Sequence, residues 1–240
     1  MRKLLAFALL ALLLQFLQAC RGGAGVPDYF PLEAGHRWTY RVQTQLDDGS
    51  PPEQEVLRIA SLGAQRLAVL GDAEAWWRQG DAGVDYWLRR DESGIYRVAS
   101  KSLVDEQPKA DQPVRYVLKA PFVVGSSWQA DTTAYLLMRS NEFPREIRHV
   151  HPHILMTYQI SATAVALATP AGQFKNCLVV SGLATLRLYA DPATGWRDQP
   201  LRSKEWYCPG VGLARLERSE PAHTAFLRGG ERVLELEAYE

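Results

Sequence analysis

The chain has 240 residues whose formal charges cancel, with 27 Lys and Arg against 27 Asp and Glu, and 47% of its residues are hydrophobic. Near-neutrality with interspersed signs excludes the basic stripe that a nucleic-acid backbone demands. The length suits one sizeable core, so a single domain is expected.

At the start of the chain, Arg2 and Lys3 precede an apolar run from Leu4 to Leu17 broken only by Gln15, and the small residue Ala19 stands before Cys20. This is the layout of a signal peptide over residues 1–19, because about 14 positions cannot span a bilayer that needs roughly 20. The run Leu17-Gln18-Ala19-Cys20 resembles the lipobox of bacterial lipoproteins, with Gln18 departing from the usual small or aliphatic residue. The resemblance implies that Cys20 is acylated and becomes the first residue of the mature chain. That chain keeps 25 basic residues against 27 acidic ones, so its membrane attachment would come from lipid rather than from charge. Arg21 stands where Asp is the familiar inner-membrane retention signal of enteric bacteria, and the resemblance therefore favours the outer membrane, facing the periplasm or the cell surface. The glycine-rich stretch that follows has no periodicity and reads as a flexible tether over residues 20–28.

From Tyr29 onward, aromatic and β-branched residues cluster in short runs between turn residues, the pattern of an all-β chain. Strands are expected at Trp38 to Gln45, Glu53 to Ser61, Arg66 to Leu70 and Ala75 to Arg78, punctuated by Asp47-Asp48-Gly49-Ser50-Pro51 and Gly71-Asp72. Tyr86 to Arg89 and Ile95 to Ser100 flank Asp91-Glu92-Ser93-Gly94 as a tight hairpin. The polar stretch Lys101 to Pro113 reads as a loop, and strands resume at Val114 to Lys119 and Thr132 to Arg139. After the polar segment Ser140 to Pro152, Leu155 to Ala168 and Phe174 to Leu188 should form a long hairpin around Thr169-Pro170-Ala171-Gly172. Beyond the turn Asp191 to Gly195, Lys204 to Cys208, Leu213 to Ser219 and Arg232 to Tyr239 complete the sheet. Alternation there approximates one buried and one wetted face.

An internal echo links two distant points. Pro31-Leu32-Glu33-Ala34-Gly35-His36-Arg37-Trp38 shares its Pro, Gly and Trp spacing with Pro121-Phe122-Val123-Val124-Gly125-Ser126-Ser127-Trp128. Proline fixes the approach, glycine permits a tight turn and tryptophan anchors the next strand. Either the domain contains two related half-sheets, about 29–119 and 120–240, or a common loop-to-strand device occurs twice.

Three separated motifs carry a wider resemblance: Tyr29-Phe30-Pro31-Leu32 with Gly35 and Trp38-Thr39-Tyr40; Pro170-Ala171-Gly172-Gln173-Phe174-Lys175-Asn176-Cys177; and Glu205-Trp206-Tyr207 with Pro209-Gly210-Val211-Gly212-Leu213. They are similar to poorly characterised bacterial exported proteins and lipoproteins, some grouped under a domain of unknown function, although Cys208 stands where alanine is more usual. The resemblance implies a single strongly curved antiparallel sheet or half-open barrel. Such a sheet looks like that of the periplasmic lipoprotein carriers, whose concave face holds acyl chains.

With Cys20 acylated, Cys177 and Cys208 remain as an even pair in an oxidising compartment. A disulfide between them is the leading expectation, two buried free thiols the alternative. His149, His151 and His153 alternate and would share one face of a strand, which makes them metal candidates. Pro152 interrupts the run and no carboxylate partners are evident, so a solvated loop explains them equally. There is no Gly-x-Ser-x-Gly elbow, and Ser181 sits within an apolar strand pattern where its hydroxyl bonds locally. Gly210-Val211-Gly212 leads into a strand rather than a helix, which suits a turn or bulge and not a phosphate cradle. Of the seven tryptophans, Trp87, Trp196 and Trp206 lie near turns, while Trp76-Trp77 should point to opposite faces, one into the core and one to solvent or a groove. No cofactor and no catalytic residue is expected, and no ligand-binding residue is identified. Together these features point to a non-enzymatic, membrane-anchored envelope lipoprotein that scaffolds or contacts another envelope component. A carrier or sensor of an apolar ligand in the concave sheet is the alternative. A metal-dependent enzyme or metal binder at His149, His151 and His153 is the third.

Overall fold

The computed structural model describes residues 27–139, 154–191, 193–222 and 227–240. The first half is a meander of β1 (Arg37–Leu46), β2 (Glu53–Leu67), β3 (Ala73–Gly80), β4 (Val84–Asp91), β5 (Gly94–Ser102) and β6 (Lys109–Lys119). The second half comprises β7 (Ser127–Thr132), β8 (Met138–Arg139), β9 (Ile154–Thr169), β10 (Gly172–Asp191), β11 (Gly195–Cys208), β12 (Gly212–Glu220), β13 (Leu227–Arg228) and β14 (Gly230–Tyr239). Twelve strands form one antiparallel sheet in the order β6-β5-β4-β3-β2-β1-β14-β12-β11-β10-β9-β7, nearly closed into a barrel, while the two-residue strands β8 and β13 pair with each other in a separate sheet among the described residues.

The two halves meet at two seams. At one, β1 and β14 pair from Trp38 opposite Tyr239 to Leu46 opposite Gly230. At the other, no ladder joins β6 to β7 among the described residues. Side chains bridge that gap: Arg115 on β6 donates from Nε to the Asp131 carbonyl at 2.9 Å and from Nη2 to the Tyr158 hydroxyl at 3.4 Å.

Both copies of the Pro, Gly, Trp segment make the same approach to a neighbouring strand. Gly35 and Gly125 take φ of +100° and +96°, values that glycine adopts without strain. Gly35 N donates to the Ser61 carbonyl and Ser61 N to that of His36, at 3.0 and 2.8 Å. Gly125 N donates to Ile160 and Ile160 N to Ser126, both at 2.9 Å. Trp38 then pairs with Ile59 and Trp128 with Tyr158, and both indoles are buried.

Strand alternation places the core. In β9, Ile154, Met156, Tyr158 and Ile160 are buried and the residues between them exposed. They join Leu178, Val180, Leu186 and Leu201 in the main cluster. A second cluster gathers Trp38, Tyr40, Val42, Leu234 and Leu236 around the disulfide, and a third packs Leu67, Ala75, Trp87 and Val98.

Four stretches differ from expectation. Arg66 to Leu70 is not a strand of its own: β2 runs unbroken to Leu67, and Ala68–Leu70 forms a short 3-10 turn that Gly71 closes at a φ of +65°. Lys101 to Pro113 is mostly strand, because β5 continues to Ser102 and β6 begins at Lys109. Between Arg97 opposite Arg115 and Ala99 opposite Ala110 the register jumps, and Arg97 pairs with the Asp111 carboxylate across the bulge. The expected strand Thr132 to Arg139 instead ends β7 at Thr132, and the following segment packs Ala134, Leu136 and Leu137 on the core while its backbone groups bond side chains rather than a ladder. β11 starts at Gly195, well before Lys204, since Trp196 to Leu201 pair with β10 in spite of Pro200.

Candidate functional site

A barrel's width grows with its strand number, and about eight strands give an interior that strand side chains alone can fill. This wider sheet needs additional filling. Part of it comes from the strap of residues 27–34, which crosses the end of the barrel where β1 begins. Phe30 and Leu32 are buried in the main cluster, and Tyr29 meets Phe122 edge-on at 5.9 Å. Burying side chains of this size stabilises by roughly 1.5–3 kcal/mol each.

Polar groups clamp the strap by its backbone. Arg90 donates to the Phe30 carbonyl at 2.6 Å and to the Asp28 carboxylate at 2.8 Å. Gly210 N reaches the Asp28 carbonyl at 2.7 Å, and Ser61 Oγ the Leu32 carbonyl at 2.6 Å. Asp28, the last residue of the expected tether, is therefore tied down. Arg78 adds a second guanidinium, partly buried beside the strap. It donates to the Pro31 carbonyl and lies between the rings of Phe30 and Trp38, 4.1 and 4.4 Å from their centroids. Burial pulls its guanidinium down to about 10, partly offset by Tyr40, and it stays protonated at neutral pH. Tyr40 donates to the Leu213 carbonyl at 2.8 Å, and burial pushes its hydroxyl well above the usual range.

The remaining filling lies in the second half. Arg218 and Glu220 on β12 are both buried and pair at 2.7 Å. The other Glu220 oxygen accepts three backbone donors, Tyr135 N, Leu136 N and Leu137 N, at 3.1, 2.9 and 3.0 Å. Arg218 also donates to the Thr133 carbonyl at 3.1 Å. One ion pair thus holds the segment after β7 by both its donors and an acceptor. Beside it, Glu205 accepts from Ser203 at 2.9 Å and from Tyr207 at 2.5 Å. Burial, reinforced by the Glu205 charge, raises the Tyr207 hydroxyl well above its ordinary value.

Cys177 and Cys208 are bonded, with an S–S distance of 2.04 Å, and tie β10 to β11 inside the second cluster. Ser181 donates to Ser161 on the adjacent strand at 2.9 Å. Gly210 and Gly212 take φ of +72° and +91° in the β11–β12 turn, whose carbonyl at Val211 accepts from Trp38 Nε1. Trp76 packs on the main cluster and Trp77 on the third, stacked on Trp87 at 5.8 Å. Trp206 is buried, and Trp196 is exposed against Tyr189. Cys20 and the candidates His149, His151 and His153 lie outside the described residues. Among the described residues no helix is long and apolar enough to cross a membrane.

Sequence reasoning missed Arg78, Arg218 and Glu220. For the β12 pair a signal existed: Ala214, Leu216, Arg218 and Glu220 alternate along one face, so continuing the apolar face places two charges on it. Arg78 follows the paired indoles with no comparable cue.

No protein-family model matches this chain, and no curated protein does. Among solved structures it is similar to one named as a lipoprotein of Parabacteroides distasonis, at 12% identity over 89% of this chain and 99% of that one, with a TM-score of 0.41. It is also similar to one named as an exported protein with a YmcC-like fold from Bacteroides fragilis, at 15% identity over 90% and 100%, with a TM-score of 0.38.

Proposed function

We propose that this protein is a lipid-anchored, non-enzymatic component of the cell envelope, held at the outer membrane and acting by contact with another envelope component. The supporting observation is the strap. Only six residues separate Cys20 from Pro27, and the chain then passes directly into the core, clamped by Arg78, Arg90, Ser61 and Gly210. A lipid at Cys20 would hold the folded domain close to the bilayer instead of trailing it on a long linker.

Palmitate labelling tests the anchor: it should vanish in Cys20→Ala, and persistence would refute acylation at that residue. Cross-linking in whole cells tests the contact role, and the absence of any envelope partner would count against it. Carriage of an apolar ligand in the concavity requires Phe30 and Leu32 to leave the core. Native mass spectra showing co-purified lipid would favour that alternative. Zinc calorimetry against a triple-alanine variant at His149, His151 and His153 tests the third, and heat equal to the control would remove it.

A further inference from the structure

The two Pro, Gly, Trp segments enter their strands through matching glycine turns and backbone hydrogen bonds but carry different tips. In the first, the two positions before glycine are Glu33 and Ala34; in the second they are Val123 and Val124, and all four are exposed. The turn therefore does not require valine, yet Val123 and Val124 leave 52% and 60% of their surface in solvent. The tip is held firmly. Phe122 packs on Tyr29, Val123 N donates to the Pro121 carbonyl at 2.9 Å, and Ser126 N donates back to Val123 at 3.2 Å. Val123, Phe122 and Tyr29 line one wall of a cleft of about 700 Å³ together with Pro27, while Arg90, Asp91 and Glu92 make its polar side.

Pro27 is where the chain from Cys20 enters this cleft. The seven Cα-to-Cα steps from Cys20 to Pro27 reach at most about 25 Å when fully extended, so a lipid at Cys20 keeps this end of the barrel beside the bilayer surface. Resting on the proposed acylation, we infer that the Val123–Val124 tip is a second membrane contact, seated at the boundary of headgroups and acyl chains of the bilayer that holds the Cys20 lipid. A small apolar tip with a polar rim suits that boundary. Two points of attachment then fix the domain's orientation. The exposed pair Leu103 and Val104 lies beyond the opposite end of β6, an 11-residue strand about 35 Å long, and points away from the membrane.

The test uses the acylated full chain in phosphatidylethanolamine–phosphatidylglycerol vesicles, with an NBD fluorophore on Val123→Cys or Val104→Cys and doxyl-labelled lipid as quencher. Quenching at position 123 should exceed that at 104 by at least about threefold, since interfacial groups sit only about 5–10 Å deep. Val123→Asp combined with Val124→Asp should fold with an unchanged melting curve, because both sites are exposed, and should raise quenching at 104 as the orientation relaxes. Vesicle flotation with equal quenching at both positions overturns the second contact and leaves the anchor standing. Failure to float overturns the anchor and this inference together.

Discussion

The two seams of the barrel close by different means. β1 and β14 are joined by a backbone ladder, and the cluster of Trp38, Tyr40, Val42, Leu234 and Leu236 packs beneath it. β6 and β7 are joined by side chains: Arg115 bridges the gap, Glu220 grips the segment after β7, and Tyr29 on the strap meets Phe122 in the loop between them. Ladder bonds use groups that almost every residue carries, so the first seam is spread over many weakly sensitive positions. The second is concentrated in a few residues whose identity matters.

Glu220→Ala should show the asymmetry most strongly. It leaves the Arg218 charge buried without its partner and three backbone donors unmet, a loss of about 3–5 kcal/mol. Urea unfolding would measure it, and a loss under about 1 kcal/mol would mean that the ion pair does not hold the seam. Replacing both Cys177 and Cys208 by Ser opens the β10–β11 connection that the bridge closes across 31 positions, at the cluster beneath the laddered seam, with an expected cost of about 3–4 kcal/mol on the chain-entropy model. Intact-mass measurement with and without reductant checks the bond itself, and two free thiols would remove the premise.

Tyr207 adds a pH test. Its hydroxyl is raised in the folded state, so its contribution is fully present below the unfolded tyrosine value near 10 and is lost as pH climbs from there towards the folded value. Tyr207→Phe should cost about 1 kcal/mol at neutral pH by removing one donor from Glu205 and should flatten the loss of stability above pH 10. An unchanged alkaline slope would assign that loss to other groups. The smallest effect belongs to Arg115→Ala, about 0.5–1.5 kcal/mol for its hydrogen bonds. Faster amide exchange in β7 with β14 unaffected would localise it to the open seam, whereas equal acceleration at both would erase the distinction between them.

Much of the sheet was legible because its signals are local. The hairpins at Asp91–Gly94 and Thr169–Gly172 close where their turn residues stand, and the repeated Gly and Trp spacing marks two matching entries into strands. What stayed hidden depends on partners distant in sequence. Tyr29 to Leu32 reads from sequence only as the aromatic, apolar opening of the β domain, whereas Arg78, Arg90 and Gly210 take its carbonyls or those beside them. The backbone of Tyr135 to Leu137 is held by Glu220, more than 80 positions later. Polar residues and Pro113 disguised the start of β6, whose ladder resumes on the far side of a bulge. The chemistry of the clamps was visible only as ordinary arginines and glutamates.

The strap also determines how the domain bears tension. An N-terminal anchor attached to an edge strand could unzip a sheet one bond at a time. Here the strap feeds β1, which lies between β2 and β14, and the β1–β14 ladder runs from Trp38 opposite Tyr239 to Leu46 opposite Gly230, so a pull at the tether resisted near Gly230 loads that ladder in shear together with the arginine clamps, whereas one resisted at the C-terminus unzips it. Single-molecule extension between the tether and a handle at Glu231→Cys, opposite Gln45 at the far end of the ladder, should therefore show one abrupt rupture, whose force falls in Arg78→Ala, whereas extension from the two termini should show a weaker, stepwise peel. A domain fastened in this way can transmit load between the membrane and whatever it touches while keeping its shape.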